Sequence, residues 1–485
     1  MPAFPGGGAV LPMAAQAPAT AAGKMPAFPG GRGWQFQGSF RLRQELWDWF
    51  APRGGLQNSY TFTAALLKLG VTHRSTRDLF SLELVQPTLI NLPTRATGPA
   101  PIGQMGHGAA YFDANDGQDA GLFVGQAFWE GRPFGMRDRL RIGRFEFSEG
   151  VEADTPTPDL TWLHAERIGQ RLIGPFAFTH ISRRLDGFRL LLDRGRTRYT
   201  VAGGIPTRGA FDLNGMDTLP QVRYGYAAVT KPLSPKKPLG DARLFALYYN
   251  DARDGVKTDN RPAAIRATDR DAISITTLGG HAVRLWDLPA GRVDALVWAA
   301  GQVGDWGRLA HRAWAASGEV GFQPKGWAGR PWFRAGLNHY SGDGDPADGS
   351  HGTFFSPLNT PRIYARFPFF TQLNLSDAFV QAILRPSPQW TLRADFHQLR
   401  LADAADLWYA GGGAFQDRPS FGFGGRPSGG SGDLARLVDF SATYRPRRDT
   451  DLTLYLGHAV GGDVIGSSYQ HTEGFFGYFE ILRRF

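Results

Sequence analysis

Cysteine is absent from all 485 residues, which removes disulfides and thiolate metal ligands from consideration. Lysine is almost absent too. It occurs only at Lys24, Lys68, Lys231, Lys236, Lys237, Lys257 and Lys325, leaving arginine to supply 46 of the 53 basic residues. No run of eighteen apolar residues occurs, and the better stretches, such as 293–300, are short, so helical membrane spans are not expected. The chain also has no Gly-x-Ser-x-Gly, no His-Glu-x-x-His and no Gly-x-x-x-x-Gly-Lys, so three common routes to catalysis have no motif to stand on. No cofactor is expected.

What is present points elsewhere. Glycine contributes 63 residues, phenylalanine 35 and tryptophan 13, and the formal net charge is +9. Many turns and aromatic interface girdles would account for the first three. An arginine-dominated positive charge suits anions, because guanidinium forks bind carboxylates and phosphates at two points. Nucleic acid is not an expected partner, since the arginines are scattered along the chain instead of clustering in a tail or one helix. Residues 1–33 are rich in Ala, Pro and Gly, with Met1-Pro-Ala-Phe-Pro-Gly-Gly echoed from Met25; they read as a disordered tail or a remnant leader.

From residue 34 onward, segments of period two recur between turn residues. Phe36, Phe40, Leu42 and Leu46 share one face, while Gln35, Gln37, Ser39, Arg41, Arg43 and Glu45 take the other; Trp47 and Trp49 follow where an interface girdle would sit. Phe80, Leu82 and Leu84 oppose Ser81 and Glu83. Phe188, Leu190 and Leu192 oppose Arg189 and Asp193, and Val222, Tyr224 and Tyr226 oppose Arg223. Phe333 and Leu337 oppose Arg334; Leu392 and Phe396 oppose Arg393 and Asp395; Val438 and Phe440 oppose Asp439. Thr61 to Val71 and Arg243 to Tyr249 are apolar on both faces, and a change of phase near Gly143 suggests a β-bulge. A soluble sandwich also alternates, but a dry core does not accept so many charges, whereas a water-filled lumen does. The expected fold is therefore an all-β transmembrane antiparallel barrel over 34–485, placed in the bacterial outer membrane. Long Gly/Pro/Asp-rich segments at about 92–118, 250–270, 341–372 and 402–433 would be its loops. Phe485, on one face with Phe475, Phe479 and Ile481, reads as a terminal aromatic that marks the strand for barrel assembly.

Several of these segments resemble the alginate export family of outer-membrane porins. Phe40-Arg41-Leu42-Arg43-Gln44-Glu45 with Trp47 is similar to the family's opening strand. Leu140-Arg141-Ile142-Gly143-Arg144 resembles its glycine-arginine strand, with Phe145 where glutamine is usual. Arg184-Leu185-Asp186-Gly187-Phe188-Arg189-Leu190 resembles its Asp-Gly strand start. Ser341-Gly342-Asp343-Gly344-Asp345-Pro346-Ala347-Asp348-Gly349, followed by Thr353-Phe354, is the most specific match. The resemblance covers roughly 34–485 and implies eighteen strands around an electropositive pore that exports polyuronate.

The functional expectation is passive export of an anionic exopolysaccharide through an arginine-lined lumen. The residues expected to line the path are Arg41, Arg43, Glu45, Glu83, Arg141, Arg144, Arg189, Arg196, Arg198, Arg223, Arg334, Arg393, Asp395 and Asp439. Acids among them keep any one site from holding an anion too tightly. A porin for small acidic solutes is the alternative, and an outer-membrane hydrolase the third reading. Asp343, Asp345 and Asp348 form a weak calcium candidate, because the twelfth position of an EF-hand loop would fall on Phe354; no other metal site is expected. His73, His339 and His397 are expected to line or brace the wall. Expected partners are the anionic polymer or small anions, outer-membrane lipid, the barrel assembly machinery and periplasmic secretion proteins. A monomer is expected.

Overall fold

The computed structural model describes residues 33–485 apart from 53–55, 97–105, 136, 153–154, 235–238, 361–363, 365, 368, 412–419 and 422. The tail expected over 1–33 thus lies outside the described residues, except that Gly33 already opens the first strand. Parts of the loops expected at 92–118 and 402–433 lie outside them as well. No described helix is long and apolar enough to cross a membrane.

Eighteen antiparallel strands follow one another around a closed wall. They are β1 (Gly33–Asp48), β2 (Ser59–Arg74), β3 (Asp78–Ile90), β4 (Phe123–Gly131), β5 (Arg139–Phe145), β6 (Leu185–Arg194), β7 (Thr197–Pro206), β8 (Val222–Pro232) and β9 (Gly240–Asp251). The second half comprises β10 (Ile273–Leu288), β11 (Gly291–Trp306), β12 (Leu309–Pro324), β13 (Trp332–Tyr340), β14 (Leu375–Leu384), β15 (Trp390–Arg400), β16 (Asp433–Arg447), β17 (Thr450–Gly461) and β18 (Glu473–Arg484). β18 pairs with β1 from Ser39↔Arg484 to Asp48↔Phe475, so the wall has no free edge. A spanning sheet has no alternative: hydrocarbon offers nothing to an unpaired backbone N–H or C=O.

The closing seam explains Phe485. Its backbone N–H donates to the Gly38 carbonyl at 3.0 Å and its carbonyl accepts from the Gly38 N–H at 2.7 Å. A Cβ at position 38 would lie 2.3 Å from the Phe485 ring, so only glycine leaves that ring its place on the outer wall.

Turns at one end are short: Ser75 to Arg77 joins β2 to β3, and Gly195-Arg196 joins β6 to β7. At the other end lie long connections such as 91–122, 146–184, 341–374 and 401–432. Short periplasmic turns and long extracellular loops are the outer-membrane arrangement.

The alternation read from the sequence holds along most of the wall. Phe40, Leu82, Phe188, Leu337, Phe396, Val438 and Phe479 are exposed outward, while Arg41, Ser81, Arg189, Asn338, His397 and Asp439 are buried inside. The tryptophans are a correction. Trp47 and Trp49 are 1 % and 2 % exposed, packed inside the barrel against Phe367 and, for Trp47, Phe476. The two stretches that were apolar on both faces, β2 and the core of β9, are apolar inside for the same reason: the lumen is filled by protein. Phe62, Phe245 and Tyr249 belong to one continuous core with Tyr111, Phe176, Phe211 and Phe354, which come from the long connections.

Shortening Phe485 to Ala should leave the amount of protein made unchanged and lower the fraction that runs as a compact, heat-modifiable barrel. Equal fractions for both proteins would show that the seam needs only the backbone bonds.

Candidate functional site

The connection between β5 and β6 does not stay at the extracellular rim. It descends through the lumen by way of a short helix, α1 (Pro158–Leu163), that runs on into one wider turn over His164–Ile168. Local chemistry sets its start: the Thr157 hydroxyl accepts from the Leu160 N–H at 3.2 Å, Pro158 sits at the first position and Asp159 follows in the first turn. Leu160, Trp162, Leu163 and Ile168 then pack on Val283, Leu285, Leu296, Trp332 and Ile383. Those wall residues lie toward the short-turn ends of their strands, so the connection reaches the periplasmic half of the barrel.

Its charged side chains bind the wall on every side. Arg167 holds Glu319 of β12 with two bonds of 2.8 Å. Glu319 also accepts from Arg334 of β13 at 3.0 Å, and Arg334 bonds Asp294 of β11. Arg171 donates to Asn338 at 3.3 Å and to the Tyr340 hydroxyl. Glu149 accepts from Arg243 of β9 at 3.0 Å, Glu166 lies 3.5 Å from Arg393 of β15, and Asp159 lies 2.7 Å from Arg292 of β11. On the opposite wall, Arg41 and Arg43 donate to the carbonyls of Ala177, Phe178 and Thr179 at 2.8–3.5 Å.

Most of the residues read as lumen-facing are there. Arg43 pairs with Glu480 at 2.6 Å and Glu45 at 3.2 Å. Arg141 and Arg189 face each other across β5 and β6 and share Glu130 at 2.7 and 3.2 Å. Glu83 lies 3.9 Å from Arg184 of the descending connection. Arg393 pairs with Asp395 at 2.6 Å; Asp395 faces Asp439 across β15 and β16, and Asp439 accepts from the Tyr455 hydroxyl and from the Arg366 backbone at 3.2 Å. Arg198 faces inward at the periplasmic mouth, 3.4 Å from Asp193. None of these guanidiniums forms a bare ladder; each is packed under, or paired within, the filled lumen.

Three do not face the lumen. Arg196 is exposed in the two-residue turn between β6 and β7. Arg144 points outward and grips Asp186 at two points, each 2.7 Å. The expected bulge at Gly143 would have turned Arg144 inward; instead the β5 register runs through without a shift, and Gly143 takes up the bend at φ +125°. Register slips instead between β3 and β4, where Glu83 pairs with Gln126 and Leu84 with Val124, leaving Gly125 as the extra residue. Arg223 is exposed on the outer wall, because the inward positions of β8 are Val222, Tyr224 and Tyr226, buried against the protein that fills the barrel. Of the histidines, His397 is inside, 2.9 Å from Asp377. His73 and His339 are on the outer face, their rings packed at a tilt against Trp34 and Trp314.

The loop acids do not gather as a calcium site. Asp343 takes the Asp345 N–H at 3.3 Å, Asp345 takes that of Ala347 at 2.9 Å and Asp348 that of Ser350 at 2.7 Å, each capping its own turn. The one metal-sized set among the described residues is His164, Asp241 and His281. There both imidazoles contact Asp241 at 2.9 Å, and His164 also reaches the Gly150 carbonyl at 2.8 Å, which makes a polar strut between connection and wall. His164, Arg167, Arg171 and Arg243 escaped the sequence reading. The only signal was a 39-residue connection that carries a Thr-Pro-Asp helix start followed by Arg167 and Arg171 one turn apart.

Above the lumen, Asp406 bridges two extracellular connections. It accepts from the Thr353 hydroxyl at 2.6 Å, the Asp343 N–H at 3.0 Å and the Tyr409 hydroxyl at 2.8 Å. Burial nevertheless pushes its carboxyl up to about 7 and that of Asp343 up to about 6.

A closed eighteen-strand wall with long loops at one end and a connection folded into its lumen defines an outer-membrane β-barrel channel. A family model described as alginate export matches residues 235–479, just over half of the sequence. The chain belongs to the alginate export family, and its place is the bacterial outer membrane. Family and fold are those of channels, not enzymes. Solved structures of similar fold include the outer membrane protein OpdK of Pseudomonas aeruginosa, with TM-score 0.56 at 10 % identity over 93 % of this chain and 99 % of that one. A BenF-like porin from Pseudomonas fluorescens Pf-5 gives 0.56 at 8 % identity, covering 93 % and 98 %. OpdK with vanillate gives 0.55 at 9 % identity with the same coverage as the BenF-like porin. No curated protein matches by sequence.

Two predictions follow from the charges. Removing a partner from a dry ion pair leaves its mate uncompensated, so Glu319→Gln should cost about 3–5 kcal/mol of barrel stability, whereas Asp254→Asn, which breaks the exposed pair with Arg270 in an extracellular connection, should cost less than ~1 kcal/mol. Urea unfolding in vesicles compares them, and equal losses would contradict the ranking. For Asp406 and Asp343, raised carboxyl values mean that the folded state binds more protons than the unfolded state between about pH 4 and pH 7. The bridge is therefore firmest at low pH and loosens as pH rises through 7. Hydrogen exchange of 341–353 and 406–410, corrected for intrinsic rates, should show protection falling over that window, and Asp406→Asn should flatten the trend.

Proposed function

We propose that this channel passively exports a carboxylate-bearing sugar polymer, and that the connection 146–184 occupies the polymer's path at rest. One observation carries this reading: the connection offers the wall what a polyuronate would offer. Glu149, Glu166 and Asp159 sit on Arg243, Arg393 and Arg292, and carbonyls 177–179 sit on Arg41 and Arg43. An incoming polymer exchanges its carboxylates for these, one at a time. Each exchange trades one ion pair for another, so net binding stays weak and multi-site, as conduction requires. The family's description as alginate export supports the same class of cargo. Lipid of the outer membrane surrounds the wall, and the barrel assembly machinery is the proposed recipient of the Phe485 signal.

A second reading has its own support. A connection that pairs with the wall on every side and stays in place suits a small acidic solute better than a polymer; a related fold has been solved with vanillate, itself a small carboxylate.

Planar-bilayer recording separates the two. Glu149→Gln with Glu166→Gln should raise the open current roughly threefold, as the loss of about 0.7 kcal/mol of latch energy would. Oligouronate should block that current while benzoate does not. Block by benzoate alone would favour the small-solute reading, and cation selectivity would reject both.

A further inference from the structure

Arg223 belongs on the lipid side of the wall, and the surface below it is not a flat barrel face. Phe188, Gly203, Gly225 and Tyr248 are successive partners across β6, β7, β8 and β9; Gly203 is buried beside the Phe188 ring, and Gly225 is the bare position between that ring and Tyr248. The result is a trough of about 660 Å³, within the range of small-ligand sites. Its floor continues toward the bilayer centre over Ala227 and Ala246, which are partners one row further down. At its extracellular end stands Arg223, opposite Asn250. Phe188 and Tyr248 are 41 % and 50 % exposed, rising from the wall on either side.

Charge identifies the occupant. A guanidinium at the edge of hydrocarbon is costly without a counter-charge, and Arg223 has no hydrogen bond or ion pair among the described residues. The outward acid on that side, Asp186, is already held at two points by Arg144. An anion from outside the chain, joined to something that fills an apolar trough running toward the membrane centre, supplies that counter-charge. We infer that this trough binds a phosphorylated lipid of the outer leaflet, one acyl chain lying over Gly225 and Ala227 and its phosphate against Arg223. The side amide of Asn250 is engaged with Ser274 at 2.8 Å, which leaves Arg223 as the head-group contact. A guanidinium binds phosphate through two parallel bonds, so the site discriminates by head group as well as by chain.

The glycines make the test clean. A Cβ at Gly225 meets nothing within 4 Å, so a larger side chain fills the trough without pressing on the wall. The full-length protein in nanodiscs would be offered a bis-phosphorylated glucosamine disaccharide lipid and its phosphate-free counterpart, with retention read by native mass spectrometry. The wild type should keep one phosphorylated lipid with a preference of roughly tenfold, the scale of one charge-assisted contact. Arg223→Gln should keep the lipid but lose the preference. Gly225→Leu should lose retention about as strongly, with unchanged heat modifiability and channel current. Ala227→Leu fills the same trough one row lower and gives an independent reading should the first variant assemble poorly. Retention unaffected by both filling variants, or a phosphate preference that survives Arg223→Gln, would overturn the assignment. So would a dimer that these fillings dissociate, since the trough would then belong to a second copy of the chain.

Discussion

Closure of the wall by β1 and β18 is the constraint on which everything else rests. Once every strand has two neighbours, the backbone makes no demand on its surroundings, and the two faces are free to meet different media. The outer face needs only apolar side chains. The inner face must then be filled with something that tolerates many guanidiniums and carboxylates. In this chain the filling is protein. The connection 146–184 enters the lumen, anchors in an apolar cluster at the periplasmic half and pairs with the wall along its length.

That filling changes what the arginines mean. Buried cations in isolation are expensive, and buried pairs contribute little net stability while making the loss of one partner costly. Glu319, held by Arg167 and Arg334, is the clearest case: wall and connection share one carboxylate. Where the connection supplies the acid instead, as Glu149 does to Arg243 and Glu166 to Arg393, the proposed exchange needs only that another carboxylate take the same guanidiniums. On the proposed function, latch and conduction site are the same set of contacts.

The fold was legible because the outer face follows one rule, apolar at every second residue, and that rule needs no knowledge of tertiary contacts. Phe40, Leu82 and Val438 showed it directly, and the strands that carry Arg41, Arg189, Arg334 and Arg393 were placed correctly by it. Errors arose where the inner face was apolar as well. In β8 the inward residues are Tyr224 and Tyr226, so hydrophobicity named the wrong face and sent Arg223 into the lumen. At Gly143 a positive φ absorbed the bend that a bulge was expected to make, and Arg144 changed sides as a result. Trp47 and Trp49 look like girdle residues only if the lumen is water. The plug itself lay beyond sequence reasoning, since nothing local in 146–184 says that a long connection folds inward and not outward.

The central claim is that alternate wall residues face hydrocarbon and a protein-filled lumen, and the lack of native cysteine makes it directly measurable. Single cysteines placed in turn from Val438 to Thr443 of β16, spin-labelled in bilayers, report collisions with oxygen and with a water-soluble nickel complex. The account predicts period two: high oxygen and low nickel accessibility at 438, 440 and 442, and low accessibility to both at 439, 441 and 443. Uniform accessibility along the strand, or high nickel accessibility at the odd positions, would contradict it.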